Sequence, residues 1–104
     1  MKRQVRCRGK RMSIEGEMTV YTAAAVSKLV LDGLAERGAT ELLDLSKVSE
    51  MDTAGLQILL VARRQAAALG RELRIVAPSS PVRGVLELVQ MSTLIDAPSA
   101  GALP

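Results

Sequence analysis

The sequence predicts a single α/β domain: a mixed β-sheet with an antiparallel N-terminal hairpin and parallel crossovers, covered mainly on one face by helices. Three observations predict it. The 104 residues suffice for one hydrophobic core but not for two. Hydrophobic periodicity changes along the chain in the order β-β-α-β-α-β-α. Two strand–helix–strand units lie within that order, and a helical crossover returns the chain to pair in parallel with the strand it left.

Residues 3–8 alternate as a strand, with Val5 and Cys7 on one face and Arg6 and Arg8 on the other. Gly9-Lys10 supplies a turn, and Arg11–Met18 returns with Met12 and Ile14 facing inward. Thr22 is suited to cap a helix from Ala23 to about Arg37, closed by Gly38. Val26, Leu29, Val30 and Gly33 share its inner face, while Lys28, Asp32 and Glu36 lie toward water. A strand over 40–45 carries the nearly continuous apolar run of a buried strand, Leu42–Leu45, and a polar connection follows.

The second helix is predicted from Thr53 or Ala54 to about Leu69, ended by Gly70. Leu56, Leu59, Ala62, Ala66 and Leu69 form its apolar arc, with Gln57, Arg64 and Ala68 along the outer line. Leu73–Val76 is a short strand. Ser80 then caps a third helix with Pro81 at its first position, and Val82, Val85, Leu86 and Val89 follow at helical spacing. The domain therefore spans 3–96, and the tail 97–104, rich in Pro, Gly, Ser and Ala, is expected to be disordered.

Composition narrows the function. No apolar run approaches the roughly 20 residues of a membrane span, so membrane insertion is not expected. The basic start lacks the apolar segment of a signal peptide, and the single cysteine, Cys7, forms no internal disulfide. Both fit a reducing cytoplasm. Six of the 14 basic residues fall at Lys2, Arg3, Arg6, Arg8, Lys10 and Arg11, leaving 8 against 11 acidic residues in the remainder. Such charges discourage edge-to-edge pairing of an N-terminal hairpin. Nucleic acid is not the expected partner, because Phe and Trp are absent and Tyr21 alone could stack on a base.

Catalysis lacks its usual parts. With no histidine, neither a Ser-His nor a Cys-His dyad can be built, and Cys7 has no second soft ligand for a metal. Asp44 and Asp52 flank the strand-to-helix connection, where loop hydrogen bonding suits them better than acid–base work or Mg²⁺ binding. Gly55 stands alone, without a glycine-rich phosphate loop. The expectation is a non-enzymatic domain with no catalytic residue, no metal and no cofactor.

Asp52-Thr53-Ala54-Gly55 opening the second helix is the most informative stretch. Asp-Thr before a helix is first of all a capping arrangement. It also places a hydroxyl beside amides that lack intrahelical partners, where an added phosphoryl group is tolerated. The run Asp44-Leu45-Ser46-x-Val48-x-x-Met51-Asp52-Thr53-Ala54-Gly55-Leu56 resembles the signature of the STAS domain, the family of anti-sigma factor antagonists and sulfate-transporter C-terminal domains. The resemblance extends over nearly the whole chain. It implies that Thr53 is the position a partner kinase phosphorylates. Ala54 replaces a second hydroxyl residue often found there. Gly16-Glu17-Met18-Thr19 resembles the family's Gly-Glu-Leu-Asp segment, with Thr19 where the family has an acid near the phosphorylation site.

The resemblance implies a regulatory module of the anti-sigma factor antagonist type. Unphosphorylated, it binds an anti-sigma serine/threonine kinase; phosphorylation of Thr53 releases it. Asp52, Thr53, Ala54, Gly55, Gln57 and Arg64 are the expected partner-binding residues. The alternative keeps the fold without the switch: a subunit on the ATPase of a lipid-transport ABC complex, or an accessory of a chemotaxis kinase.

Overall fold

The computed structural model describes residues 4–37 and 41–95. The N-terminal alternation forms the strands β1 (Val5–Arg8) and β2 (Arg11–Met18), antiparallel, with Val5 opposite Ile14 and Cys7 opposite Met12. Gly9 turns the hairpin at φ 59°, a left-handed conformation that glycine adopts without a Cβ penalty. Helix α1 (Ala23–Arg37), strand β3 (Leu42–Met51), helix α2 (Thr53–Ala68), strand β4 (Arg74–Val76) and helix α3 (Ser80–Leu88) follow, with a 3-10 turn at Ser92–Leu94. The sheet order is β1-β2-β3-β4, with β2–β3 and β3–β4 parallel. Both crossovers step in one direction across the sheet, so their shared right-handedness puts α1 and α2 on one face.

Alternation places Met12, Ile14, Leu43, Leu45 and Ile75 on that face, where Val26, Val30 and Leu34 of α1, Leu59, Ala62 and Ala66 of α2, and Val82 and Leu86 of α3 close a single core. Helix α1 approaches closely because Gly33 has no side chain: a Cβ there would sit 2.6 Å from Met12 Cε and 3.3 Å from Cys7 Sγ. Helix α2 ends as expected at Gly70 (φ 75°), whose amide bonds to the Ala67 carbonyl while that of Arg71 bonds to Ala66.

Several details differ from the sequence expectation. Strand β3 continues through 46–51, where a loop was expected. Ser46, Lys47, Ser49 and Glu50 are exposed and read locally as polar, but backbone pairing with β2 continues to Met18–Met51 across two register shifts. Leu29 is 42% exposed and Leu69 39%. Helix α1 turns Val26, Val30 and Gly33 inward instead, and Leu69 is already the C-cap of α2. Val85 is half-buried, and Val76, though buried, pairs with Asp44 on the sheet face opposite Ile75. The cap of α3 is Ser79 rather than Ser80. The Thr22 hydroxyl donates back to the Glu17 carbonyl instead of capping α1, while the Thr22 carbonyl accepts from the Val26 amide. Gly38, Thr40 and the tail 97–104 lie outside the described residues.

Helix α3 closes like α2 but without a glycine. Gln90 (φ 59°) occupies the left-handed position, its amide bonding to the Glu87 carbonyl and that of Met91 to Leu86. Gln90→Gly is therefore expected to stabilise the protein by about 1 kcal/mol, by removing a Cβ from a conformation that costs roughly that much. A urea midpoint that does not rise would show that the Gln90 side chain offsets its own strain.

Candidate functional site

The site lies at the C-terminal end of β2 and β3, where the chain leaves each strand for a helix. Asp52 is the N-cap of α2, with extended backbone (φ −129°, ψ −168°). One carboxylate oxygen accepts from the amides of Ala54 (2.9 Å) and Gly55 (3.3 Å); the other accepts from the Val20 amide (3.0 Å). Asp52 therefore fastens the start of α2 to the loop between β2 and α1, 32 residues earlier in the chain. The Val20 amide holds its carboxyl below the ordinary aspartate value; partial burial opposes this, and the Gly55 and Ala54 amides reinforce it.

That bridging carboxylate makes the site acid-sensitive. A depressed folded-state pKa means that the Asp52 contribution is complete above the unfolded pKa of about 3.9 and is lost as pH falls through the lower folded value. The stability difference between parent and Asp52→Asn should therefore be largest near neutrality and shrink below about pH 4. Urea titrations of both proteins from pH 7 to pH 3 check this; a constant difference would mean that the carboxylate charge is irrelevant.

Thr53 is the first residue of α2 and is exposed. Ala54 and Gln57 lie on the same end of the helix and line a groove of about 270 Å³ with Ala23, Ala24 and Ser27 of α1. Arg64 is exposed farther along α2, roughly 16 Å from Thr53 at 1.5 Å per residue. Gly55, one of the expected partner-binding residues, is buried beneath this surface. A Cβ at Gly55 would collide with the Met18 carbonyl oxygen and reach 2.9 Å from both Met18 Cβ and Met51 Cγ. Its role is to let α2 start hard against the strand ends.

Thr19, standing where the resemblance leads one to expect an acid, is buried. Its hydroxyl accepts from the Tyr21 amide (3.3 Å) and donates to Glu17 Oε1 (3.2 Å), while its amide donates to the Thr22 hydroxyl (3.0 Å). The loop 19–22 is thus a hydrogen-bonded unit tied to the α2 cap. The sequence singles out Asp52 and Thr53 at the helix start but not the Val20 contact, because local pattern carries no sign that this loop meets the cap.

Asp44, expected beside the strand-to-helix connection, instead lies within β3, buried and paired to Arg11, and is no partner of Asp52. It lies near the other end of β3, about 26 Å away at 3.3 Å per residue. Burial pushes its carboxyl up, but the Ser46 amide and hydroxyl and the Arg11 guanidinium more than offset this and leave it below the ordinary value. Arg11 bonds Asp44 Oδ2 through two nitrogens, at 2.7 and 2.8 Å. Among the described residues no cluster of three or more His, Cys, Asp or Glu side chains could hold a metal ion, and no helix is long and apolar enough to cross a membrane.

Known proteins share this fold. The unphosphorylated anti-sigma factor antagonist SpoIIAA superposes with a TM-score of 0.68 at 18% identity, over 93% of this chain and 89% of that one. A candidate anti-sigma factor antagonist of Thermotoga maritima gives 0.70 at 20% identity, over 92% and 87%. The phosphorylated form of SpoIIAA, a Bacillus cell-fate determinant, gives 0.62 at 18%, over 93% and 92%. At these identities the likeness is one of fold. No curated protein matches significantly in sequence. The family model described as "Mlab, STAS domain" matches residues 4–96, and the chain belongs to the STAS domain family.

Proposed function

We propose that this STAS domain is a non-enzymatic, cytoplasmic regulatory module of the anti-sigma factor antagonist type, which binds an anti-sigma kinase and is released by phosphorylation of Thr53. The observation that carries the proposal is an exposed Thr53 hydroxyl at the first position of α2, next to an Asp52 carboxylate that is already fixed. The first turn of α2 contains no acidic residue, so a phosphate there meets the positive end of the helix dipole without disturbing the fold. It adds about −1.5 to −2 charges beside Asp52. A partner shaped around a small hydroxyl loses both fit and electrostatic match. The solved antagonist SpoIIAA, known in unphosphorylated and phosphorylated forms, supports the analogy through its fold.

Thr53→Glu should leave stability within about 1 kcal/mol of the parent yet weaken binding tenfold or more, about 1.4 kcal/mol. Thr53→Ala should bind like the parent and resist phosphorylation. Calorimetric titration of the three proteins against the kinase encoded beside the gene is the test. Equal affinities for all three would leave Thr53 a helix-start residue and nothing more.

A second reading is favoured by Thr19, whose buried hydroxyl links Glu17 to the Tyr21 amide and leaves no carboxylate at that position. Without the acid, the same surface serves as a constitutive contact on an ABC-transporter ATPase or a chemotaxis kinase, with no phospho-switch. Binding of such a neighbour-encoded protein, unchanged after incubation with ATP and candidate kinases, would select this reading.

A further inference from the structure

Two of the most exposed large apolar side chains are consecutive and stand at the site. Tyr21, the sole aromatic residue of the chain, is 90% exposed, and Val20 is 65% exposed. A tyrosine in solvent at a floppy terminus would mean little. Here the backbone beneath it is fixed by the Val20 amide on Asp52, the Tyr21 amide on the Thr19 hydroxyl, the Thr22 amide on the Thr19 carbonyl and the Thr22 hydroxyl on the Glu17 carbonyl. The backbone share of the ordering cost has been met before any partner arrives. From Tyr21 the chain enters α1, whose Ala23 and Ala24 line the groove shared with Ala54 and Gln57. The loop tip and the start of α2 are joined through Asp52, which accepts from the Val20 amide on one side and the Ala54 amide on the other.

We propose that Val20 and Tyr21 form a preorganised apolar anchor that inserts into a pocket on the partner protein, beside the contact made by Thr53. This rests on the proposal that the Thr53 surface is the partner-binding surface. An aromatic ring at the centre of a contact is the type of residue that dominates protein–protein affinity, and the phenol oxygen asks the pocket for one polar group at its floor. The surroundings favour a protein over an anionic membrane. Glu17 and Glu50 face each other across β2 and β3, no described residue forms an ion pair with either, and Asp52 lies beneath the tip. Three carboxylates around an apolar tip oppose approach to anionic headgroups.

Asp52 also acquires a second role. Its two oxygens hold the anchor loop and the start of α2 in one register, so Tyr21 and Thr53 are presented to the partner as one rigid unit.

The experiment titrates the neighbour-encoded kinase or ATPase with parent, Tyr21→Ser, Tyr21→Phe, Thr53→Glu and Leu88→Ser proteins. Leu88, 84% exposed on α3, controls for general stickiness. Tyr21→Ser should fold with an unchanged melting midpoint and bind about tenfold or more weaker; Tyr21→Phe should retain most of the affinity, and Leu88→Ser all of it. Parental affinity in Tyr21→Ser, with Thr53→Glu still weakened, would overturn the anchor and spare the Thr53 proposal. An equal loss in Leu88→Ser would overturn the anchor as well. A parent that binds neither protein overturns both proposals. Sedimentation of anionic vesicles with the parent but not with Tyr21→Ser would assign the tip to lipid, and dimerisation lost in Tyr21→Ser would assign it to a second copy; either result overturns the anchor as stated.

Discussion

Replacing Leu45 with alanine is expected to lower the folding free energy by about 2–5 kcal/mol. Leu45 is fully buried in β3 and belongs to the core formed with α2 and α3. Truncation removes three carbons from a site walled by a sheet and helices that cannot all collapse inward, so a cavity term adds to the lost transfer energy. The backbone role of Leu45 survives, since its carbonyl still accepts from the Ser79 amide (3.2 Å). For a domain of this size the loss takes a large share of total stability. Urea denaturation of parent and Leu45→Ala is the measurement; a midpoint that does not move would mean that this strand is not central to the core.

Gly55→Ala is the second large effect, and its sign opposes helix propensity. Alanine in place of glycine inside a helix ordinarily gains about 1 kcal/mol. At Gly55 the new methyl meets the Met18 carbonyl oxygen, a backbone atom that cannot rotate aside, together with Met18 Cβ and Met51 Cγ. Overpacking of this kind costs about 1–3 kcal/mol, or more where the obstacle is rigid, so a net destabilisation of about 2 kcal/mol is expected. Gly84 supplies the internal comparison. It lies in α3 with nothing within 4 Å of a built Cβ, and Gly84→Ala should stabilise by up to about 1 kcal/mol. If both substitutions shifted the midpoint in the same direction, α2 would not start as close to the strand ends as described. A displaced α2 would also pull Asp52 from the Val20 amide, so Gly55→Ala should weaken partner binding along with stability.

Much of this architecture was legible because it depends on short-range rules. The antiparallel hairpin was readable from alternation around Gly9, the end of α2 from Gly70, and the mixed sheet from two strand–helix–strand units whose crossovers are constrained in handedness. A capping arrangement at Asp52-Thr53 was readable from residue type and position; that Asp52 supplies the cap, with Thr53 the first helical residue, was not.

What misled the sequence reading was context. Residues 46–51 look like a loop because four of the six are polar, yet pairing with β2 keeps them in a strand. Leu29 and Leu69 fit an apolar face by spacing, but the rotation of α1 onto β1 and β2 is set by the close approach at Gly33, and α2 has ended by Leu69. Gly55 stands in the motif as an expected partner-binding residue, and that it is buried against the strand ends is decided by the tertiary structure.

By itself the sequence determined the order of elements, the mixed sheet, the family resemblance and the position of Thr53 at a helix start. All of these follow from local periodicity, capping chemistry and chain connectivity. Only the tertiary structure decided that Asp52 joins two segments 32 residues apart, that Asp44 and Asp52 lie too far apart to act together, and that Val20 and Tyr21 stand exposed beside Thr53. The physical reason is that each depends on where β2 and β3 end in space, and that is set by packing of the whole core rather than by any neighbouring residue.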